Sequence, residues 1–385
     1  MKEIQFELSN EQREYLGLIP VEKNWELVAL NEMYLYFDGD TIRKKISVSG
    51  NSYFEQELNE KTAENRTILL PKTVKGKPKK LNFTATQSFS PLGIYFRFSG
   101  DGYLTIASYT TQTEYYSENL GEGKGLDDLR SWLRQWVAES TEDDLKEIHA
   151  FKTAERKHCQ YKEGDFFTFK VGRRAWGFGR ILIDIAQRVK KDKLKEGKNY
   201  GLTNLMGKAL LVKVYHKISH TDEVDLDELS QTLALPSTAM MDNHFYYGEK
   251  RIIGHQALRA EEYDMLISYS KSISHGDQSI YLQYGFIYKE AAQSEFNKYL
   301  IQEDEDVCGG IENPYRNEGI GFSFDTTYLK ECIAEKSNLP FWNSDYFDIK
   351  CDLRNPANIE IKREIFSFFG LDADKDYEGN LKMLS

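Results

Sequence analysis

The stretch EGDFFTFKVGRRAWGFGRILID, Glu163–Asp184, decides how this chain is read. Two runs rich in aromatic and β-branched residues, DFFTFKV and RAWGFGRILIDI, flank Gly172-Arg173, and that order predicts an antiparallel strand pair closed by a tight turn. Phe167, Phe169 and Val171 alternate with Phe166, Thr168 and Lys170, so one face of the first strand is expected in a core and the other outside it. In the second strand Arg174, Trp176 and Phe178 share one parity and Arg173 and Ala175 the other, unless the glycines shift the register. Gly177-Phe178-Gly179 begins like a dinucleotide fingerprint. Its third glycine position holds Leu182, however, and ILIDI reads as strand, so no helix N-terminus follows to hold a pyrophosphate. A glycine pair inside a strand marks a bulge or a close backbone approach instead.

Around this stretch, 385 residues are too many for one average domain. Hydrophobic residues at 40% and aromatic residues at 13% suffice for packed cores and exclude a disordered chain. Upstream, NWELVALNEMYLYFDGDTIRKKISV and GIYFRFSGDGYLTIASYTT each read as two apolar runs joined at a turn, Asp38-Gly39-Asp40 and Gly100-Asp101-Gly102. In GLDDLRSWLRQWVAES, Leu126, Leu129, Leu133, Trp136 and Val137 recur at helical spacing, with Asp127 and Asp128 near the positive end of the helix. Downstream, ALLVKVYHKI, SIYLQYGFIYKE and FDIKCDL read as strands. HFYYGEKRIIGHQALRAEEYDML reads as a strand or two and then a helix, TTYLKECIAEK and IEIKREIFSFFGL as helices, and the tail DADKDYEGNLKMLS as mobile.

The expectation is an α+β, multi-domain chain. It has an N-terminal strands-then-helices domain over residues 1–157, a central β-rich module, antiparallel sheet or barrel-like, over 158–271, and a mixed α/β segment over 272–385. No signal peptide and no apolar run of membrane-spanning length is visible. The cysteines Cys159, Cys308, Cys332 and Cys351 lack metal-site spacing and read as reduced thiols in a cytoplasmic protein.

No catalytic motif is complete. GLTNLMGKAL places Gly201 one residue too far from Gly207-Lys208 for a phosphate-binding loop, and Ala209 stands where a hydroxyl should ligate magnesium. His216 and His220 are spaced for one face of a helix but follow a strand-like run. Asp372, Asp374 and Asp376 imitate a calcium loop, with Tyr377 at the turn that needs glycine and Met383 where the closing glutamate belongs. No catalytic residue, cofactor or metal is therefore expected. One enzymatic alternative stays open. Asp348-x-Lys350 and Glu360-x-Lys362 would each set a carboxylate and a lysine on one face of a strand. A metal-dependent nuclease uses that pairing to hold its ion and steady a phosphate; Asp352 is the nearest further ligand.

Arg173, Arg174, Trp176 and Arg180 remain, a cluster suited to a protein hot spot or a nucleic-acid platform. With 50 basic and 61 acidic residues the net charge is −11, which disfavours nucleic acid and favours a basic protein partner. YKEGDFFTFKVGRRAWGFGRILIDI resembles the opening of the immunity protein 26 family of bacterial polymorphic toxin systems. The matching features are Gly164-Asp165, the alternating strand Phe166–Val171, the turn Gly172-Arg173, and Phe178-Gly179-Arg180. The resemblance runs over about Tyr161–Tyr269. It implies a cytoplasmic protein without catalysis that holds a cognate toxin domain inactive by tight association, with no membrane partner. Were that toxin a basic nuclease, the acidic residues Asp222, Glu223, Asp225, Asp227 and Glu228, and the run Glu303–Asp306, would complement it.

Overall fold

The computed structural model describes residues 4–384, apart from 32, 71–74, 192–201, 203–204, 206, 273–277, 301–312 and 322–325. The chain divides into two units, Met1–His158 and Cys159–Ser385.

In the first unit, helix α1 (Asn10–Tyr15) precedes β1 (Glu26–Leu30), β2 (Met33–Asp38), β3 (Thr41–Ser49) and β4 (Ser52–Thr62). The short strands β5 (Ile68–Leu70) and β6 (Lys79–Lys80), helix α2 (Phe83–Thr86), and β7 (Leu92–Phe98), β8 (Tyr103–Ser108) and β9 (Thr113–Asn119) follow. All pairings are antiparallel, in the order β1-β2-β3-β4-β7-β8-β9, with β5 beside β4 and β6 beside β5. The run NWELVALNEMYLYF makes two strands rather than one, because Asn31 takes a left-handed φ of 57° and turns β1 back onto β2. Gly102, at φ 85°, supplies the same freedom between β7 and β8, where a Cβ would run into the Gly121 carbonyl. Helices α3 (Leu126–Glu139) and α4 (Glu142–Thr153) contribute Leu129, Leu133, Trp136 and Ile148 to a core with Ile94, Phe96, Leu104 and Ile106 of the sheet. Trp132 and Trp136, one turn apart, stack at 4.8 Å.

Charge lies inside this unit. Glu55 of β4 is fully buried and accepts hydrogen bonds from Arg13 Nε of α1 at 2.9 Å, from Lys44 Nζ of β3 and from the Tyr53 hydroxyl. Burial opposes its charge, but Lys44 and Arg13 hold its carboxyl below the usual range. Glu57, also buried, accepts the Ile19 amide at 2.6 Å; burial pushes its carboxyl up, against the pull of Lys44.

The second unit opens with β10 (Asp165–Gly172), β11 (Ala175–Asp184), helix α5 (Ile185–Lys191), β12 (Ala209–Ser219), helix α6 (Leu226–Ser230), β13 (Thr238–Met241), helix α7 (Asn243–Tyr246) and β14 (Arg251–His255). These strands form an antiparallel sheet in the order β13-β12-β11-β10-β14. It is open, with β13 and β14 at its edges, so the sheet alternative holds and the barrel does not. A three-stranded sheet follows, β15 (Ile267–Lys271), β16 (Ser279–Tyr284) and β17 (Ile287–Ala292). Then come helices α8 (Leu329–Glu335), α9 (Leu339–Trp342), α10 (Phe347–Lys350), α11 (Ile359–Phe368) and α12 (Tyr377–Leu384). One core joins Leu182, Ile183 and Leu211 to Ile267 and Leu282 and to Ile365 and Phe366 of α11.

Five readings of the sequence are corrected. Strand β10 is buried on both faces, not one: Phe167 and Phe169 pack with Phe245, Leu329 and Cys332, while Phe166 packs with Phe178, Tyr215 and Leu229. FDIK is helix α10 rather than a strand, and Ala260–Glu262 is a single 3₁₀ turn where a longer helix was expected. The C-terminal tail carries α12. Tyr377 packs edge-on against Tyr284 at 5.3 Å, and the fully buried Asn380 donates to the carbonyls of Asp372, Lys375 and Asp376. Cys159 and Cys332 are free thiols, but Cys351 is disulfide-bonded, which overturns the reading of reduced cysteines at that position. Among the described residues no helix is long and apolar enough to cross a membrane.

Candidate functional site

The family-like stretch is built inward. Strands β10 and β11 pair from Phe166 opposite Arg180 to Lys170 opposite Trp176, and Gly172-Arg173-Arg174-Ala175 closes the hairpin. The glycine pair serves both purposes expected of it. The register of β11 against β12 shifts between Gly177 and Gly179, and a Cβ on Gly177 would lie 2.6 Å from the Phe169 ring. On Gly179 it would run into the Phe167 ring and lie 2.6 Å from the Lys213 carbonyl oxygen, a backbone atom that cannot swing aside. Gly164 is held at φ 88° against the Gln256 carbonyl. Asp165 beside it accepts the Lys162 amide at 2.9 Å and pairs with His255 Nδ1 at 2.8 Å.

Arg180 is the largest correction to the candidate contacts. Its residue exposure is 1%, so it is not a surface group. Its guanidinium pairs with Glu262, donates to the carbonyls of Gln256 at 2.8 Å and Ala257 at 3.2 Å, and lies 4.4 Å over the Phe166 ring. Lys213 Nζ adds a second cation 3.4 Å from Glu262. Burial opposes the charge of Glu262, but the Arg259 amide, Lys213 and Arg180 hold its carboxyl below the usual range.

The other candidates gather at the opposite end of the hairpin. Trp176 is half-buried, with Lys170 Nζ 4.3 Å and the Arg251 guanidinium 6.0 Å from its ring. Lys170 donates to the Arg173 carbonyl at 3.1 Å, His220 Nδ1 lies 3.3 Å from the Arg174 carbonyl, and Arg174 itself is exposed. Arg251 ties this basic end to the acidic run by pairing with Asp222. Asp225 caps α6, accepting the amides of Asp227 and Glu228 at 2.8 and 3.0 Å, and Asp227 accepts from Gln256 Nε2 at 2.7 Å. Glu223 and Glu228 are exposed and form no ion pair among the described residues. Val224, Leu226 and Leu229 anchor the run on the sheet, and Leu226 fills the space that a Cβ on Gly254 would need. The result is a half-buried tryptophan under two cations, beside an acidic one-turn helix. Glu303–Asp306 lies outside the described residues.

Two members of this constellation were not read from the sequence. Lys170 had a signal, since a hairpin turning at Arg173 places it across from Trp176. Arg251 had none, because it arrives on β14 from far along the chain.

The nuclease residues are not brought together as that chemistry requires. On helix α10, Asp348 and Lys350 do not share a face, since positions two apart on a helix point to opposite sides. Lys350 pairs with Asp345 at 3.0 Å. Glu360 is exposed on α11 and pairs with Arg363 at 2.6 Å. Lys362 donates to the Ala373 carbonyl at 3.1 Å, and burial lowers its ammonium pKa. Asp352 is buried and held by Arg354 at 2.7 Å. Among the described residues no group of three acidic, histidine or cysteine side chains is arranged to hold a metal ion.

No curated protein and no solved structure matches the chain. The family whose model matches is Immunity protein 26, over residues 162–279, and this segment, which contains the whole five-stranded sheet, is what the chain shares with that family.

Proposed function

We propose that the chain is an immunity-type protein that neutralises a cognate bacterial toxin by non-covalent association, in the cytoplasm and without catalysis of its own. The observation that carries this reading is the match of residues 162–279 to an immunity protein family. The mixed-charge end of the sheet supports it. Trp176 offers a large, partly covered anchor, and Glu223 and Glu228 offer exposed carboxylates that form no ion pair among the described residues. A basic toxin domain is the partner that such a surface and a net charge of −11 would steer inward.

The test is co-expression with the toxin encoded beside it. Growth should be rescued and the two chains should co-elute on sizing. Unchanged killing with no complex would sink the reading. The surface is tested separately. Trp176→Ala should weaken the complex by about 2 kcal/mol or more, roughly 30-fold in Kd. Glu223→Lys with Glu228→Lys should slow association about tenfold at low salt and little at high salt. Stopped-flow association across a salt series checks this. Rates that ignore both charge reversal and salt would exclude α6 from the contact.

A further inference from the structure

A cavity of about 490 Å³ opens in the second unit between β12, β13 and the short helices α9 and α10. Leu235 and Leu266 form apolar wall, and Phe341, Tyr346 and Phe347 bring aromatic rings from the helical side. Tyr346 is 57% exposed, and Leu233 and Leu339, at 53% and 54%, stand one residue to either side of the hydrogen bond from Asn338 Nδ2 to the Ala234 carbonyl.

The charged residues that line the cavity are Asp348, Asp352 and Arg354, two carboxylates against one guanidinium. The guanidinium is not open to an incoming anion. It lies 2.7 Å from Asp352 and 3.2 Å from Asp264, and donates to the Ser237 hydroxyl at 2.9 Å and the Ser237 carbonyl at 3.1 Å. Asn317 Nδ2 also donates to Asp352, at 3.1 Å. Asp348 is exposed and forms no ion pair among the described residues. What the cavity leaves unmet is thus a negative charge beside aromatic rings and aliphatic wall. That combination suits a cation carried on an aliphatic stem: the stem lies on the rings and the head meets the carboxylate.

We propose that this cavity receives one arginine or lysine side chain of a partner polypeptide, with Asp348 taking the cationic head and Tyr346 and Phe341 the stem. The proposal deepens the toxin-binding reading by naming a second contact and its chemistry, and it rests on that reading only for the source of the side chain.

The test needs no toxin. The full chain, methyl-labelled at leucine, is titrated with N-acetyl-arginine methylamide, with the norleucine analogue, and with agmatine, which carries the same guanidinium on a free small molecule. The arginine derivative should shift Leu235 and Leu266 saturably, in the millimolar range. It should bind at least fivefold more tightly than the norleucine analogue and no more weakly than agmatine. Asp348→Asn should weaken it at least fivefold; Glu223→Lys with Glu228→Lys should leave it unchanged. Tyr346→Ala, at another exposed position, should weaken it without loss of Asp348. No saturable shift, equal binding of the norleucine analogue, tighter binding of agmatine, or indifference to Asp348→Asn would each overturn the proposal. None of these results bears on whether the chain rescues cells from the toxin, so the two readings fail separately.

Discussion

Replacing Arg180 by methionine should lower the stability of the second unit by about 3–5 kcal/mol. The substitution keeps most of the side-chain volume and removes the charge. Glu262, at 4% side-chain exposure, then loses its closest cation and keeps Lys213 and Arg259, each at 3.4 Å, while the carbonyls of Gln256 and Ala257 lose donors. A buried carboxylate short of partners is the costly state, so adding Glu262→Gln should recover part of the loss. Arg174→Met, six residues away and exposed, should stay within about 0.5 kcal/mol of the parent. Hydrogen exchange by mass spectrometry, followed in peptides covering 163–184, reads the effect in this unit of the full chain. A loss below about 1 kcal/mol in Arg180→Met would refute the assignment of Arg180 to the core rather than the surface.

Glu55→Gln should have an effect of similar size in the first unit. It takes from Lys44, at 0% exposure, the carboxylate it is bonded to, and leaves Arg13 with Glu7 at 2.7 Å as its ion-pair partner. Breaking one partner out of a buried ionic group costs about 3–5 kcal/mol, read here as lost protection in peptides covering 41–58. The same cluster sets a pH dependence with two opposite signs. Glu55 has a depressed folded pKa, so its contribution is present above the unfolded glutamate value of about 4.3 and is lost as pH falls through the folded one. Glu57 has a raised folded pKa, so the cost of its buried charge is full above that pKa and disappears as pH falls toward the unfolded value. Acidification from neutrality should therefore first strengthen protection in these peptides and then abolish it. Glu57→Gln should remove the first phase, and a monotonic fall in both proteins would contradict the assignment.

Much of the architecture was legible because it is written locally. The turns at Gly39 and Gly102, helix α3 with its tryptophan pair, and the hairpin of β10 and β11 all follow from spacing within a few residues. What was not legible depends on distant chain. Nothing near Phe166 announces that α6 will cover it, so a strand buried on both faces was read as half-exposed. FDIK fits either period over four residues, and its helical state is fixed by its neighbours. The site divides in the same way. The positions of Trp176 and Arg174 at the hairpin end follow from the turn. The burial of Arg180 does not, because it depends on Glu262, 82 residues on.

Gly164, Asp165, Gly179 and Arg180 are committed inward. These positions bear on folding, while Glu223 and Glu228 are exposed and form no ion pair among the described residues. Substitution should therefore cost more stability at the former set than at the latter. Surface chemistry and architecture are thus separable within one short segment, so the outward face can change without disturbing the packed one.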